Sequence, residues 1–189
     1  VHPPDHTGFH PIRSWMRTIS LYDELEITRL EPDRLSRYAI LWHKDARRRA
    51  DIDWSVTRDL AVRAHLALED RVGHALPIQM KLEKRIPVGA GLGGGSANAA
   101  GMLRAAANLF DLDLNEHDLA SIASDLGSDV PFFLRGGNAL VSGYGEHITP
   151  LPSTEPLHAV LVFPEHPCPT GEVYAAFDDG ERPPRSNRC

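Results

Sequence analysis

The chain is 189 residues long, with 42% hydrophobic and 24% charged residues and a formal net charge of −6. That length suffices for one ordinary domain with a full core, and the acidic balance argues against a nucleic-acid partner or an anionic membrane surface. No apolar run approaches the roughly 20 residues that a bilayer crossing needs. The two cysteines, Cys168 and Cys189, have neither metal-binding nor redox spacing, so a reducing cytosol is the default compartment.

Residues 1–20 carry Pro3, Pro4, Gly8 and Pro11 and read as loop. His2, His6 and His10 fall at helical spacing, but those prolines and Gly8 argue against a helix, and no metal site is expected. Leu25, Ile27 and Leu30 roughly alternate with charged residues, as in a half-buried strand. Tyr38 to Trp42 is a candidate short strand, and residues 47–51 read as a solvated loop. Val56, Leu60, Ala64, Ala67 and Leu68 recur at helical spacing, and Gly73 ends that helix. Ile78, Met80 and Leu82 alternate over a strand at 78–84 that Pro87 closes. An alanine-rich helix is expected from Ser96 to Phe110. A further helix is capped by Asn115 and stopped by Gly127. Asn138–Ser142 and His147–Thr149 fit a hairpin around Gly143 and Gly145. His158–Phe163 reads as a buried strand, and Thr170 as the cap of a last helix reaching Phe177, before a polar tail. Mixed strands and helices without strict alternation favour an α+β fold.

The densest chemical signal is Pro87-Val-Gly-Ala-Gly-Leu-Gly-Gly-Gly-Ser-Ala-Asn98, with five glycines in the seven residues 89–95. Glycines leave backbone N–H groups unshielded, and the helix that follows adds orphan donors and the positive end of its dipole. Together they make a phosphate cradle. Gly89, Gly91 and Gly94 satisfy the dinucleotide-binding spacing, but the preceding strand alternates where a Rossmann strand is buried on both faces, and Pro87 intervenes. No Gly-Lys-Ser/Thr follows, which excludes a Walker A loop.

Four blocks then carry a family resemblance. Lys84-Arg-Ile-Pro-Val-Gly-Ala-Gly-Leu-Gly-Gly-Gly-Ser-Ala-Asn98 resembles the ATP loop of GHMP kinases, and its triple glycine is similar to that of the diphosphocytidyl-methylerythritol kinases among them. The segment from Leu126 through Gly-Ser-Asp-Val-Pro-Phe-Phe to Leu151 is similar to the same family. Gly8-Phe-His-Pro-Ile12 resembles its Gly-Tyr-His element, and Thr170-Gly-Glu-Val-Tyr174 the element bearing its nucleobase-stacking aromatic. The blocks follow the family order across residues 8–174.

The resemblance implies a GHMP kinase N-terminal domain (ribosomal protein S5 domain 2-like) over 1–152, with its first strand missing. Residues 153–189 would be the start of a C-terminal GHMP domain with a frayed tail. It implies ATP-dependent phosphorylation of the 2-hydroxyl of 4-diphosphocytidyl-2-C-methyl-D-erythritol in non-mevalonate isoprenoid synthesis, with ATP and Mg²⁺ as cofactors. The partner would be a small cytidine diphosphate-linked polyol. The location would be cytoplasmic in a bacterial setting, with a plastid left open. Asp129 falls at the catalytic carboxylate, accepting or orienting the attacking hydroxyl's proton; read without the family it is an N-cap. The nucleotide would be bound by Lys84, Val88, Gly89, Ala90, Gly91, Leu92, Gly93, Gly94, Gly95, Ser96, Ala97 and Asn98, with Ser96 also the nearest hydroxyl to Mg²⁺. The substrate would be held by Phe9, His10, Thr170 and Tyr174, two aromatics and a histidine suiting a nucleobase.

The chain departs from the family pattern in three ways. No lysine or arginine precedes Arg13, where the family has a catalytic lysine. The second glycine-rich loop of the C-terminal domain is missing. Asp59 and Ala97 stand where the family has asparagine and serine. The expectation is a fragment truncated at both ends that transfers no phosphate by itself. Another GHMP kinase of mevalonate or homoserine type and a non-catalytic nucleotide-binding module are the alternatives.

Overall fold

The computed structural model describes residues 10–152, 155–163 and 170–180. Its contacts divide the chain into two compact units that part between Pro156 and Leu157.

The first unit holds two three-stranded sheets. One orders its strands β2–β4–β3, from β2 (Glu24–Arg29), β3 (Arg37–Trp42) and β4 (Ile78–Lys84). The central strand β4 runs antiparallel to β2 and parallel to β3. Its inward set Ile78, Met80 and Leu82 is fully buried, with Leu25 and Ile27 beside it on β2 and Tyr38 and Ile40 on β3. The two-residue period sends Gln79 and Lys81 to solvent and leaves Lys84 in phase with the core.

A parallel pair needs a crossover, and α1 (Leu60–Val72) supplies it between β3 and β4. Asp59 caps this helix by accepting from the Ala61 N–H at 2.9 Å, and Gly73 ends it in the left-handed region. Val56, expected within the helix, lies in a separate 3₁₀ turn at Val56–Arg58. The fully buried His65 keys α1 to the sheet: its Nε2 donates to the Leu76 carbonyl at 2.7 Å, and its Nδ1 accepts from the Tyr38 hydroxyl at 2.9 Å. A carbonyl can only accept, which assigns the ring proton to Nε2.

The alanine-rich helix is α2 (Gly94–Leu109), which begins two residues before Ser96. Its small residues Ala99, Ala100, Ala106 and Ala107 are buried and let α1 pack close. Next comes α3 (Glu116–Leu126), opened by a full capping box between Asn115 and Asp118 and ended at Gly127. The short α4 (Val130–Arg135) follows with Val130 and Phe132 buried.

The second sheet orders β1 (Ile12–Arg17), β5 (Asn138–Gly143) and β6 (His147–Pro150), all antiparallel, with the expected β5–β6 hairpin. Its strand β1 corrects the expectation of loop through residue 20. Arginines, a serine and nearby prolines hide the alternation, and the strand exists because β5, over 120 residues later, offers it an edge (Ile12 opposite Gly143, Arg17 opposite Asn138).

In the second unit α5 (Thr170–Asp179) forms where a last helix was expected and runs two residues past Phe177. The strand expected at His158–Phe163 does not form. Val160 is 90% exposed and Val162 81%, and the segment pairs with no strand among the described residues. An apolar run becomes a buried strand only when a neighbouring strand takes its backbone groups and a packed layer covers its side chains.

Candidate active site

A groove of about 820 Å³ opens where the end of β1, the residues leading into β2, the glycine loop and the start of α4 come together. Gly91, Leu92 and Gly93 line it together with Ala97, Asn98 and Asp129.

The loop's shape follows from its glycines. Gly91 has φ +69° and nothing within 4 Å of an added Cβ, so its backbone faces open space. Gly93 caps α2 at φ +66°, and a Cβ there would lie 2.6 Å from the Phe133 ring. Gly94 approaches Ile86 so closely that a Cβ would lie 2.8 Å from its Cγ2. Glycine at 93 and 94 therefore serves close packing, and a valine at Gly94 would act by displacing Ile86. Within α2, hydrogen bonding begins with Ala97 N–H to Gly93 C=O at 2.8 Å. The amides of Gly94, Gly95 and Ser96 thus have no acceptor inside the helix, and no acidic side chain sits in its first turn. That end of α2 suits an anion.

Asp129 stands at the N-cap position of α4, yet its side chain makes no capping hydrogen bond. Only its carbonyl serves the helix, accepting from Phe133 N–H at 3.4 Å. Phe133 also packs on Gly93, so one aromatic ring ties the carboxylate's helix to the glycine loop. The carboxylate is half-buried in the groove, with its oxygens uncommitted to the cap.

The other sequence-predicted residues are distributed unevenly. Val88 is half-exposed, and Gly89 has a positive φ in open space. Lys84 is 5% exposed, and its Nζ donates to Asp23 Oδ2 at 2.8 Å, so its charge is paired inside the protein. Of the nucleobase set, Phe9 lies outside the described residues. His10 is half-buried just before β1, whereas Tyr174 is half-buried on α5 in the second unit. Thr170 is the first residue of α5. Asp59, a departure from the family pattern, is the cap of α1, a place that asparagine fills equally well.

Sequence reasoning missed Asp23, Trp15, Arg17 and Arg104, all of which line the groove. Arg104 donates to the Leu134 carbonyl at 3.2 Å and Arg17 to the Glu155 carbonyl at 3.2 Å, so the groove wall contains guanidinium groups from β1 and α2. Arg17 was hidden because β1 was read as loop; Arg104 looks in sequence like any solvated helix residue. For Asp23 a signal existed: a lysine in the inward phase of β4 requires a buried partner.

Residues 59–137 match the GHMP kinases N terminal domain. The chain is 38% identical over 180 residues to a 4-diphosphocytidyl-2-C-methyl-D-erythritol kinase of Symbiobacterium thermophilum, spanning 93% of this chain and 60% of that relative. A protein of the same name from Desulfitobacterium hafniense is 37% identical over 171 residues, 90% of this chain and 54% of its own length. A crystal structure of 4-(cytidine 5'-diphospho)-2C-methyl-D-erythritol kinase superposes with a TM-score of 0.70 at 31% identity, covering 93% of this chain and 59% of that one. The chain thus spans less than two thirds of the length of these relatives.

Proposed function

We propose, from the match of residues 59–137 to the GHMP kinases N terminal domain, that this protein transfers the γ-phosphoryl group of ATP to the 2-hydroxyl of 4-diphosphocytidyl-2-C-methyl-D-erythritol, a step toward isoprenoid precursors in the cytoplasm. One observation carries the proposal: a single groove joins the glycine loop, a helix N-terminus with unpaired amides and a carboxylate uncommitted to its own cap.

In this reading the amides along 89–96 hold the phosphates, and the α2 dipole favours their charge. Asp129 orients the acceptor hydroxyl and takes up its proton as the O–P bond forms, while ADP leaves with the electrons of the cleaved bond. Phosphoryl transfer leans mainly on positioning and charge neutralisation, and Arg17 and Arg104 contribute positive field in the groove wall. Among the described residues no three His, Cys, Asp or Glu side chains cluster as a metal cage. Mg²⁺ keeps several waters and arrives on substrate phosphates; Ser96 and Asp129 are the residues that would meet it, and it would neutralise the phosphate charge. Phe9 and His10 are the residues of the first unit proposed to meet the cytidine, and residues 153–189 are proposed as the start of a C-terminal GHMP domain.

ATP titrated into the chain should shift the backbone amides of 89–96, and Gly91→Val should lower affinity at least tenfold by forcing a branched residue into φ +69°. Undiminished ATP affinity in that variant would remove the cradle. Phosphoryl transfer is then assayed in a chain extended upstream by a lysine-bearing strand. Asp129→Asn should cost at least a hundredfold in kcat while ATP affinity stays within about threefold; equal turnover would take Asp129 out of the reaction.

A further inference from the structure

We propose that Asp23 is the positioning residue of the glycine loop, its buried carboxylate tying the strand that enters the loop to the helix that leaves it. The proposal rests on the phosphate-cradle reading for its functional meaning, and on geometry alone for the tie itself.

Asp23 lies immediately before β2. The register places Glu24 opposite Glu83, and one further antiparallel step puts Asp23 opposite Lys84. The Asp23 side chain is 1% exposed and that of Lys84 6%. Oδ1 accepts from the Arg85 N–H at 2.6 Å and the Ile86 N–H at 2.8 Å. Oδ2 accepts from Lys84 Nζ at 2.8 Å and Asn98 Nδ2 at 2.8 Å. An ionised carboxylate offers about four acceptor sites, and here each is filled.

Three of those partners, Lys84, Arg85 and Ile86, lie on the entry side of the loop, and Asn98 lies in the second turn of the exit helix. One carboxylate therefore sets the separation of residues 86 and 98, the two ends of the thirteen-residue span whose amides make the cradle. Ile86, held by its amide, is also the side chain that Gly94 packs against. Entry strand, helix start and carboxylate thus form one closed contact.

A bare carboxylate facing the groove would repel phosphate. Lys84 cancels its charge at 2.8 Å, so the field at the loop remains that of the backbone donors. This gives Lys84 its role: it acts on nucleotide through Asp23, by neutralising the group that shapes the loop. A carboxylate that merely neutralised Lys84 would need neither the two backbone amides nor Asn98.

The test uses ligand-free amide exchange across 85–98, ATP affinity by calorimetry and the melting temperature, for the chain as given and for Asp23→Asn and Asp23→Asn/Lys84→Met. Asp23→Asn should speed exchange at Arg85, Ile86 and the α2 start at least tenfold, lower ATP affinity at least tenfold, and lower the melting temperature because Lys84 is left unpaired. The double variant removes the unpaired charge. It should regain the melting temperature while loop exchange stays fast. Unchanged exchange in Asp23→Asn, or slow exchange regained in the double variant, would overturn the proposal by reducing Asp23 to a counter-ion. Fast loop exchange in a chain whose unsubstituted form binds no ATP would support the tie and refute the phosphate-cradle reading, so the two failures are distinguishable.

Discussion

β4 and the segment His158–Phe163 are both apolar stretches that read as strands, and they meet opposite ends. β4 is flanked by β2 and β3 and covered by α1 and α2, and Ile78, Met80 and Leu82 lose all exposure. In 158–163 the valines at 160 and 162 face solvent, and no strand lies alongside among the described residues. β4 alternates and 158–163 is a continuous apolar run, yet both have strand propensity; what decides between them is the supply of hydrogen-bonding edges and a covering layer. A strand is a property of its neighbours as much as of its own residues.

The largest expected break of this contrast comes from placing one charge in each run. Leu82→Asp buries an unpaired carboxylate and should cost on the order of 5 kcal/mol, a large share of a typical domain's stability. Denaturant unfolding should show little or no native baseline. Met80→Ala should cost about 2–5 kcal/mol, because the site is sealed on both sides and collapses poorly. A loss below about 1 kcal/mol there would mean that the core around β4 is loosely packed.

Two intermediate effects probe the ends of elements around that core. Asp59→Ala should cost about 1 kcal/mol through loss of the α1 cap, and Asp59→Asn almost nothing, since either side chain can accept from Ala61. Equal losses in both variants would show that the carboxylate's charge, not its cap, is what α1 needs. Acid should expose the buried pair beside β4. Burial pushes the Asp23 carboxyl up, but the Ile86 amide, the Lys84 and Asn98 hydrogen bonds and the Lys84 charge outweigh it and leave it below the ordinary carboxylate value. Folded Asp23 then stays ionised where the unfolded chain is already protonated. Its stabilisation is complete above about pH 4 and is lost as pH falls through the lower folded value. The stability of the Asp23→Asn/Lys84→Met variant should fall less steeply below pH 4 than that of the unsubstituted chain. Parallel acid limbs would deny Asp23 this share.

The smallest effect belongs to the exposed run. Val160→Asp should change stability by less than about 0.5 kcal/mol, because a side chain 90% exposed has almost nothing to lose. A cost above 2 kcal/mol would place this segment in a packed layer and erase the contrast with β4.

The amino-acid sequence alone determined most of the elements whose signals are local. Alternation at 78–84, the Asn115–Asp118 cap ahead of a helical stripe, Gly73 and Gly127 as stops and the glycine loop running into an alanine helix all act within a few residues, so the chain carries them by itself. Asp129 is proposed as the catalytic carboxylate from the segment around it, which resembles the kinase family from Leu126 to Leu151. The tertiary structure alone decided which apolar runs became strands: β1 was drawn out of a loop-like segment by β5, whereas 158–163 lies beside no strand among the described residues and leaves Val160 and Val162 exposed. It also decided what the charged residues do. Lys84, expected among the nucleotide-binding residues, is the buried partner of Asp23, a residue absent from the sequence-based expectation, because a lysine carried inward by its strand's phase cannot stay unpaired in a core. That pairing joins residues 61 positions apart, and only the fold brings them together.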